Sequence, residues 1–122
     1  MEITGTQSTE IINDIEYSRS IEDLKTWIDN HLYDHHSLRT LAERAGMSIT
    51  RMQRLFRDLH GCSIFAYIRF ERLVRAQNQL EVTAMNIKSI SAEAGYGSVP
   101  AFTAAFHSAF GYTPGRYRKR IK

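Results

Sequence analysis

At 122 residues and 43% hydrophobic, with two prolines, seven glycines and one cysteine, the chain can bury one small core; several large domains are excluded and a β-rich fold lacks turn formers. The single Cys62 cannot close an internal disulfide, no apolar run is long enough for a membrane span, and residues 1–20 lack the basic start and apolar stretch of a signal peptide, so a soluble cytoplasmic protein is expected. The net charge of +3 sums an acidic part, residues 1–36 with two basic and eight acidic side chains (net −6), and a basic part, residues 37–122 with 14 basic and five acidic (net +9), and only the second would attract a polyanion.

Residues 1–18 are polar at first, with Ile11, Ile12 and Ile15 hinting at a turn or two of helix, and are expected to form a tail or linker. Ser20 and Asp23 have the form of a capping box, and Ile21, Leu24, Trp27, Ile28 and Leu32 follow at helical spacing, predicting a first helix from Ile21 to Leu32 with Trp27 inward. Ser37 caps a short helix, Leu38 to Ala45, with Leu38, Leu41 and Ala45 facing the core. Gly46 ends it, Met47 fills the corner and Ser48 caps a further helix that Gly61 terminates. Helix, glycine turn and helix over about 38–60 is the pattern of a helix-turn-helix, and Ala42 is small where the two helices must approach.

Ser63 caps a helix running without Gly or Pro to about Glu81. Eighteen residues at 1.5 Å each span about 27 Å, enough for a strut. The strut joins a repeat. Phe56, Gly61, Ser63, Tyr67 and Arg69 are matched fifty positions on by Phe106, Gly111, Thr113, Tyr117 and Lys119, and Leu41, Ala45 and Gly46 are matched forty-nine positions on by Ile90, Ala94 and Gly95. A duplicated supersecondary unit follows, with a second helix-turn-helix over about 87–110. In it Ser91 takes the close-approach position of Ala42, Gly95 and Tyr96 make the turn, Ser98 caps the second helix with Pro100 in its first turn, and Phe102, Phe106, Ala109 and Phe110 form the core stripe. Pro114 begins a last short helix with a basic end, Arg116 to Lys122.

The chemistry concentrates in Ser48–Arg57. Met52, Leu55, Phe56 and Leu59 form one apolar stripe, so Thr50, Arg51, Gln53, Arg54 and Arg57 point away from it. Arginine can bond guanine O6 and N7, and glutamine adenine N6 and N7, which suits this face to base edges. Other chemistries find little support. The adjacent His35 and His36 diverge on a helix, and no cysteine near His31 completes a tetrahedral metal set. Cys62 has no organised His and carboxylate around it and reads as a filler. There is no phosphate-binding glycine loop and no paired carboxylate site, so neither an enzyme nor a bound cofactor is expected.

The run Ile90-Ser91-Ala92-Glu93-Ala94-Gly95-Tyr96-Gly97-Ser98, then Phe102, Phe106, Phe110-Gly111-Tyr112-Thr113-Pro114 and Tyr117-Arg118, resembles the DNA-binding domain of AraC/XylS-type bacterial transcription regulators, particularly the free-standing members. The likeness covers roughly Ile21 to Arg118. It implies an all-α fold of seven helices, two helix-turn-helix subdomains joined by a long central helix, with both recognition helices in successive major-groove segments. A strut of about 27 Å plus helix radii is comparable with the roughly 34 Å of one DNA turn.

The resemblance carries base reading to Thr50, Gln53 and Arg54; Gln53 and Arg54 match the free-standing members, whereas Thr50 stands where those have tryptophan. Thr50 can still touch a thymine methyl. The second unit departs further, with no Asp, Glu, Lys or Arg from Gly97 to Gly115, and Ala104 where such members place a base-contacting arginine. Its half-site is expected to be read weakly, through Pro100, Ala101, Thr103 and Ala104. Phosphate contacts are expected from Ser48, Arg51 and Arg57 in the first unit and from Ser98 and His107 in the second.

The expected function is a sequence-specific regulator of transcription, an activator that also touches RNA polymerase. One copy carries two readers, and no heptad seam argues for a dimer, so a monomer on DNA is expected. The alternative is a helical protein-interaction adaptor with non-specific DNA affinity, which would use the acidic first part.

Overall fold

Hydroxyl and amide side chains set the helix starts. The computed structural model describes residues 5–121, with side chains from residue 15 onward. It contains seven helices and, among the described residues, no strand: α1 Gly5–Asn30, α2 Leu38–Ala45, α3 Ile49–His60, α4 Ile64–Val82, α5 Ile87–Glu93, α6 Val99–Phe110 and α7 Pro114–Ile121. Ser37, Ser48, Ser63, Asn86, Ser98 and Thr113 each accept the backbone N–H three residues on, at 2.8 to 3.2 Å, satisfying a donor that the first turn leaves unpaired. The chain divides into two compact units, one through Ala66 and one from Tyr67, with the boundary inside α4.

In the first unit α1, α2 and α3 pack on one another. Ile21, Leu24, Ile28, Leu32, Leu41, Ala42, Met52, Phe56 and Ile64 are buried. The first helix differs from expectation at both ends. It begins at Gly5 rather than Ile21, because the stretch from Thr6 to Asn30 holds neither Gly nor Pro and nothing stops the helix growing toward the N-terminus. Ser20 and Asp23, expected to cap the helix, therefore lie inside it, and residues 5–18 continue the helix. The side chains of Ile11 and Ile12 fall outside the described residues, while Ile15 is exposed. At the other end helix gives way at Asn30 to a turn in which the His31 N–H donates to the Ile28 carbonyl, yet Leu32 stays buried.

Trp27 is half-buried rather than wholly inward. The His31 ring stacks on it at 4.1 Å between centroids, His36 meets it edge-on at 5.8 Å and the Arg44 guanidinium lies 3.9 Å from its centroid. His31 Nδ1–H donates to the Trp27 carbonyl at 2.8 Å and His36 Nε2–H to the His31 carbonyl at 2.7 Å, so both rings serve the turn between α1 and α2. At the far end of α3 His60 Nε2 is 2.7 Å from a Glu22 carboxylate oxygen, misaligned for a hydrogen bond.

The second unit repeats the design. Leu73, Ala76, Leu80, Ile90, Ala94, Phe102 and Phe106 form its core, edged by Tyr96, Phe110, Tyr112 and Tyr117. Phe106 meets Phe110 edge-on at 4.7 Å, and Tyr112 stacks on Tyr117 at 4.9 Å. The repeat is visible in the turns. Met47 N–H donates to the Ala42 carbonyl at 3.2 Å, and Tyr96 N–H to the Ser91 carbonyl at 3.1 Å. Gly46 (φ 70°) and Gly95 (φ 92°) take left-handed conformations that a side chain would strain. Ser91 is buried where Ala42 is buried, and its hydroxyl donates to the Ser98 carbonyl at 3.3 Å.

Candidate nucleic-acid interface

The α3 helix is held from below and open above. Met52 and Phe56 are fully buried and anchor it, Ser48 caps its start and Gly61 (φ 74°) ends it. Thr50, Gln53, Arg54 and Arg57 are all exposed on the opposite side, so the structure brings together the expected contact residues of the first unit. The stripe beneath is narrower than expected: Leu55 is half-buried and Leu59 exposed, because the last turn of α3 runs past the core. Ser48 is exposed and its oxygen accepts the Arg51 N–H at 3.1 Å; a hydroxyl that accepts still has a hydrogen to donate to a phosphate. Arg51 differs from its exposed neighbours. It is half-buried, with its guanidinium 4.3 Å from the centre of the Tyr17 ring in α1.

The α6 helix has the same length and the same mount, with Phe102 and Phe106 fully buried, Ser98 at its start and Gly111 (φ 83°) at its end. Pro100, Ala101, Ala104 and His107 are exposed, Thr103 is half-buried, and Ala109, expected in the core stripe, is exposed. Ser98 is exposed, and its hydroxyl accepts the Ala101 N–H at 3.2 Å. This face offers methyl groups, one half-covered hydroxyl and an imidazole. It has no group that could make two bonds to one base edge, whereas α3 has Gln53 and Arg54.

The sequence matches the family described as a helix-turn-helix domain over residues 41–120. It is 33% identical over 107 residues to the regulatory protein SoxS of Escherichia coli strain K12, covering 88% of this chain and 100% of that one. The chain belongs to the AraC-type helix-turn-helix family. It is also 39% identical over 99 residues to the right origin-binding protein of Escherichia coli strain K12; the match takes in 81% of this chain and 34% of the relative, so the chain spans about a third of that protein's length. Among solved structures, the DNA-binding domain of AdpA in complex with a target DNA superposes with a TM-score of 0.75 at 28% identity, covering 82% of this chain and 90% of that one. The AraC-type family is one of DNA-binding transcription regulators, not of enzymes.

Three features of this AraC-type chain escape a reading by periodicity. Tyr17 reaches the recognition helix from a stretch that composition reads as tail. Arg118, in the basic end of the chain, spends its guanidinium on backbone carbonyls around the end of α4. Arg72 comes within 3.2 Å of where a Cβ on Gly95 would stand, so α4 lends a cation to the turn of a unit whose own recognition helix has none. Burial raises the Tyr96 hydroxyl above its usual range, with the Arg69 and Arg72 charges opposing. Pairings between distant segments leave no periodic trace; the only sequence signal was the basic run Arg69, Arg72 and Arg75 on α4. Among the described residues no group of three His, Cys, Asp or Glu is placed to hold a metal ion, and no helix is long and apolar enough to cross a membrane.

Proposed function

We propose that the protein is a cytoplasmic transcription regulator that binds double-stranded DNA at a bipartite site, inserting α3 and α6 into the major groove. The observation that carries this reading is the exposed quartet Thr50, Gln53, Arg54 and Arg57 on a helix anchored by Met52 and Phe56. Gln53 and Arg54 read bases, and Thr50 touches a thymine methyl. Ser48, Arg51 and Arg57 hold the phosphates on either side, supported by the positive end of the α3 dipole at Ser48. In the second half-site Pro100, Ala101, Thr103 and Ala104 make the weaker base contacts, and Ser98 and His107 the phosphate contacts. The protein acts as an activator that also touches RNA polymerase, and one copy suffices for one site.

Selection of bound sequences from random DNA tests this, with the mass of the complex measured on the winning sequence. The expected result is a site with one strongly defined and one loosely defined half, occupied by a single chain. Binding that is indifferent to sequence, and lost at moderate salt, would favour a protein-interaction adaptor instead, using exposed acids of α1 such as Glu16, Glu22 and Asp23.

A further inference from the structure

We propose that Tyr17 is a positioning residue for DNA binding: its ring holds the Arg51 guanidinium at the flank of α3, where the edge of that guanidinium meets a backbone phosphate. The inference rests on the DNA-binding reading above. Successive helix residues turn by about 100°, so Arg51 lies about 60° round from Arg54 and on the far side from Gln53. That is the flank facing α1. The guanidinium sits 4.3 Å from the centre of the Tyr17 ring, both residues are half-buried, and α1 packs against α3.

A guanidinium is weakly hydrated on its faces and carries its N–H donors in its plane. Stacking on a ring therefore occupies a face and leaves the edge for an anion. An arginine free in solvent loses rotamer entropy when a phosphate fixes it, and one already held by a ring loses less. Tyr17 thus raises affinity without touching a base, and the helix leading into the domain becomes part of its contact surface.

The test is a set of binding isotherms on the selected DNA sequence, read by fluorescence anisotropy at several salt concentrations. Y17F keeps the ring and should bind like wild type. Y17L keeps apolar volume but no ring, and should bind roughly two- to five-fold more weakly. R51A should bind more weakly still and lower the salt slope by about one. Adding Y17L to R51A should then cost nothing further. Y17L equal to wild type, or as costly with R51A as without it, overturns the proposal. Should Y17L lose its helical circular dichroism, R51K reads the same contact from the other side, because lysine keeps the charge but not the planar face. It should lose roughly two- to five-fold with the salt slope unchanged, and equality with wild type overturns the proposal. A wild type that cannot tell the selected sequence from a scrambled one removes the DNA reading itself; discrimination with additive losses removes only the role of Tyr17.

Discussion

Arg118 Nη1 donates to the Met85 carbonyl oxygen at 2.5 Å. The same guanidinium reaches the Leu80 and Thr83 carbonyls at 3.3 Å each, so one side chain of α7 gathers three carbonyl oxygens from the last turn of α4 and the segment just after it. Arg118→Ala should destabilise the second unit by about 2–4 kcal/mol, since charge-assisted bonds are lost together and the carbonyls are left half-buried. Lysine, with a single point charge, should recover little of this. Urea unfolding of both variants checks it, and a midpoint unchanged in Arg118→Ala would show that water replaces the guanidinium at no cost.

Arg54→Ala should weaken binding to the selected DNA by about 1–3 kcal/mol and relax discrimination at one base pair, because a bidentate contact is removed while the phosphate contacts stay. Competition among the four single-base variants of the selected site measures this. Equal binding by mutant and wild type would take Arg54 out of the reading role.

Substituting base pairs across the half-site of α6 should cost less than across that of α3. The first helix exposes Gln53, Arg54 and Arg57, while the second exposes Pro100, Ala101, Ala104 and His107. Comparable losses on both sides would mean that α6 reads shape or methyl groups as efficiently as α3 reads base edges.

Gly95→Ala and Gly97→Ala make a matched pair two residues apart. At Gly95 the backbone is left-handed (φ 92°) and an added Cβ would stand 3.2 Å from Arg72 Nη1, so alanine should cost about 1–2 kcal/mol in backbone strain and shift the guanidinium. At Gly97 nothing lies within 4 Å of an added Cβ, so alanine should cost little. Thermal unfolding of the two variants side by side would separate strain from simple loss of a glycine.

Tyr96 carries a pH dependence of known sign. Burial raises its hydroxyl pKa above the ordinary tyrosine value of about 10, against the lowering effect of Arg69 and then Arg72. A folded-state pKa above the unfolded one contributes stability that is complete below about pH 10 and is lost as the pH rises through the folded value. Tyr96→Phe should therefore lose less stability than wild type between neutral pH and the range above 10. Parallel curves for the two proteins would mean that the hydroxyl titrates alike folded and unfolded.

The helix-turn-helix elements were legible because their signals are local. Ser37, Ser48, Ser63 and Ser98 each sit where a first turn needs an acceptor, Gly46, Gly61 and Gly111 where a left-handed residue ends a helix, and the fifty-residue repeat ties Phe56 to Phe106. The start of α1 was not legible. Ile11, Ile12 and Ile15 hint at only a turn or two of helix, and Ser20 with Asp23 offers a cap that the helix passes by, since no Gly or Pro from Thr6 onward stops it. Leu59 and Ala109 followed the period but lie where the last turn of each recognition helix has left its core. At the candidate interface the outward position of Thr50, Gln53, Arg54 and Arg57 followed from periodicity, whereas the hold of Tyr17 on Arg51 joins residues 34 positions apart and needs the folded chain.

The indole ring that both His31 and Arg44 cover has a practical consequence. Trp27 is the only tryptophan, and it belongs to the unit that ends at Ala66. Its emission is thus an optical label on one helix-turn-helix alone, whereas circular dichroism sums both. Melting curves that coincide in the two signals would mark the pair as a single cooperative body, and curves that separate would time the two halves independently.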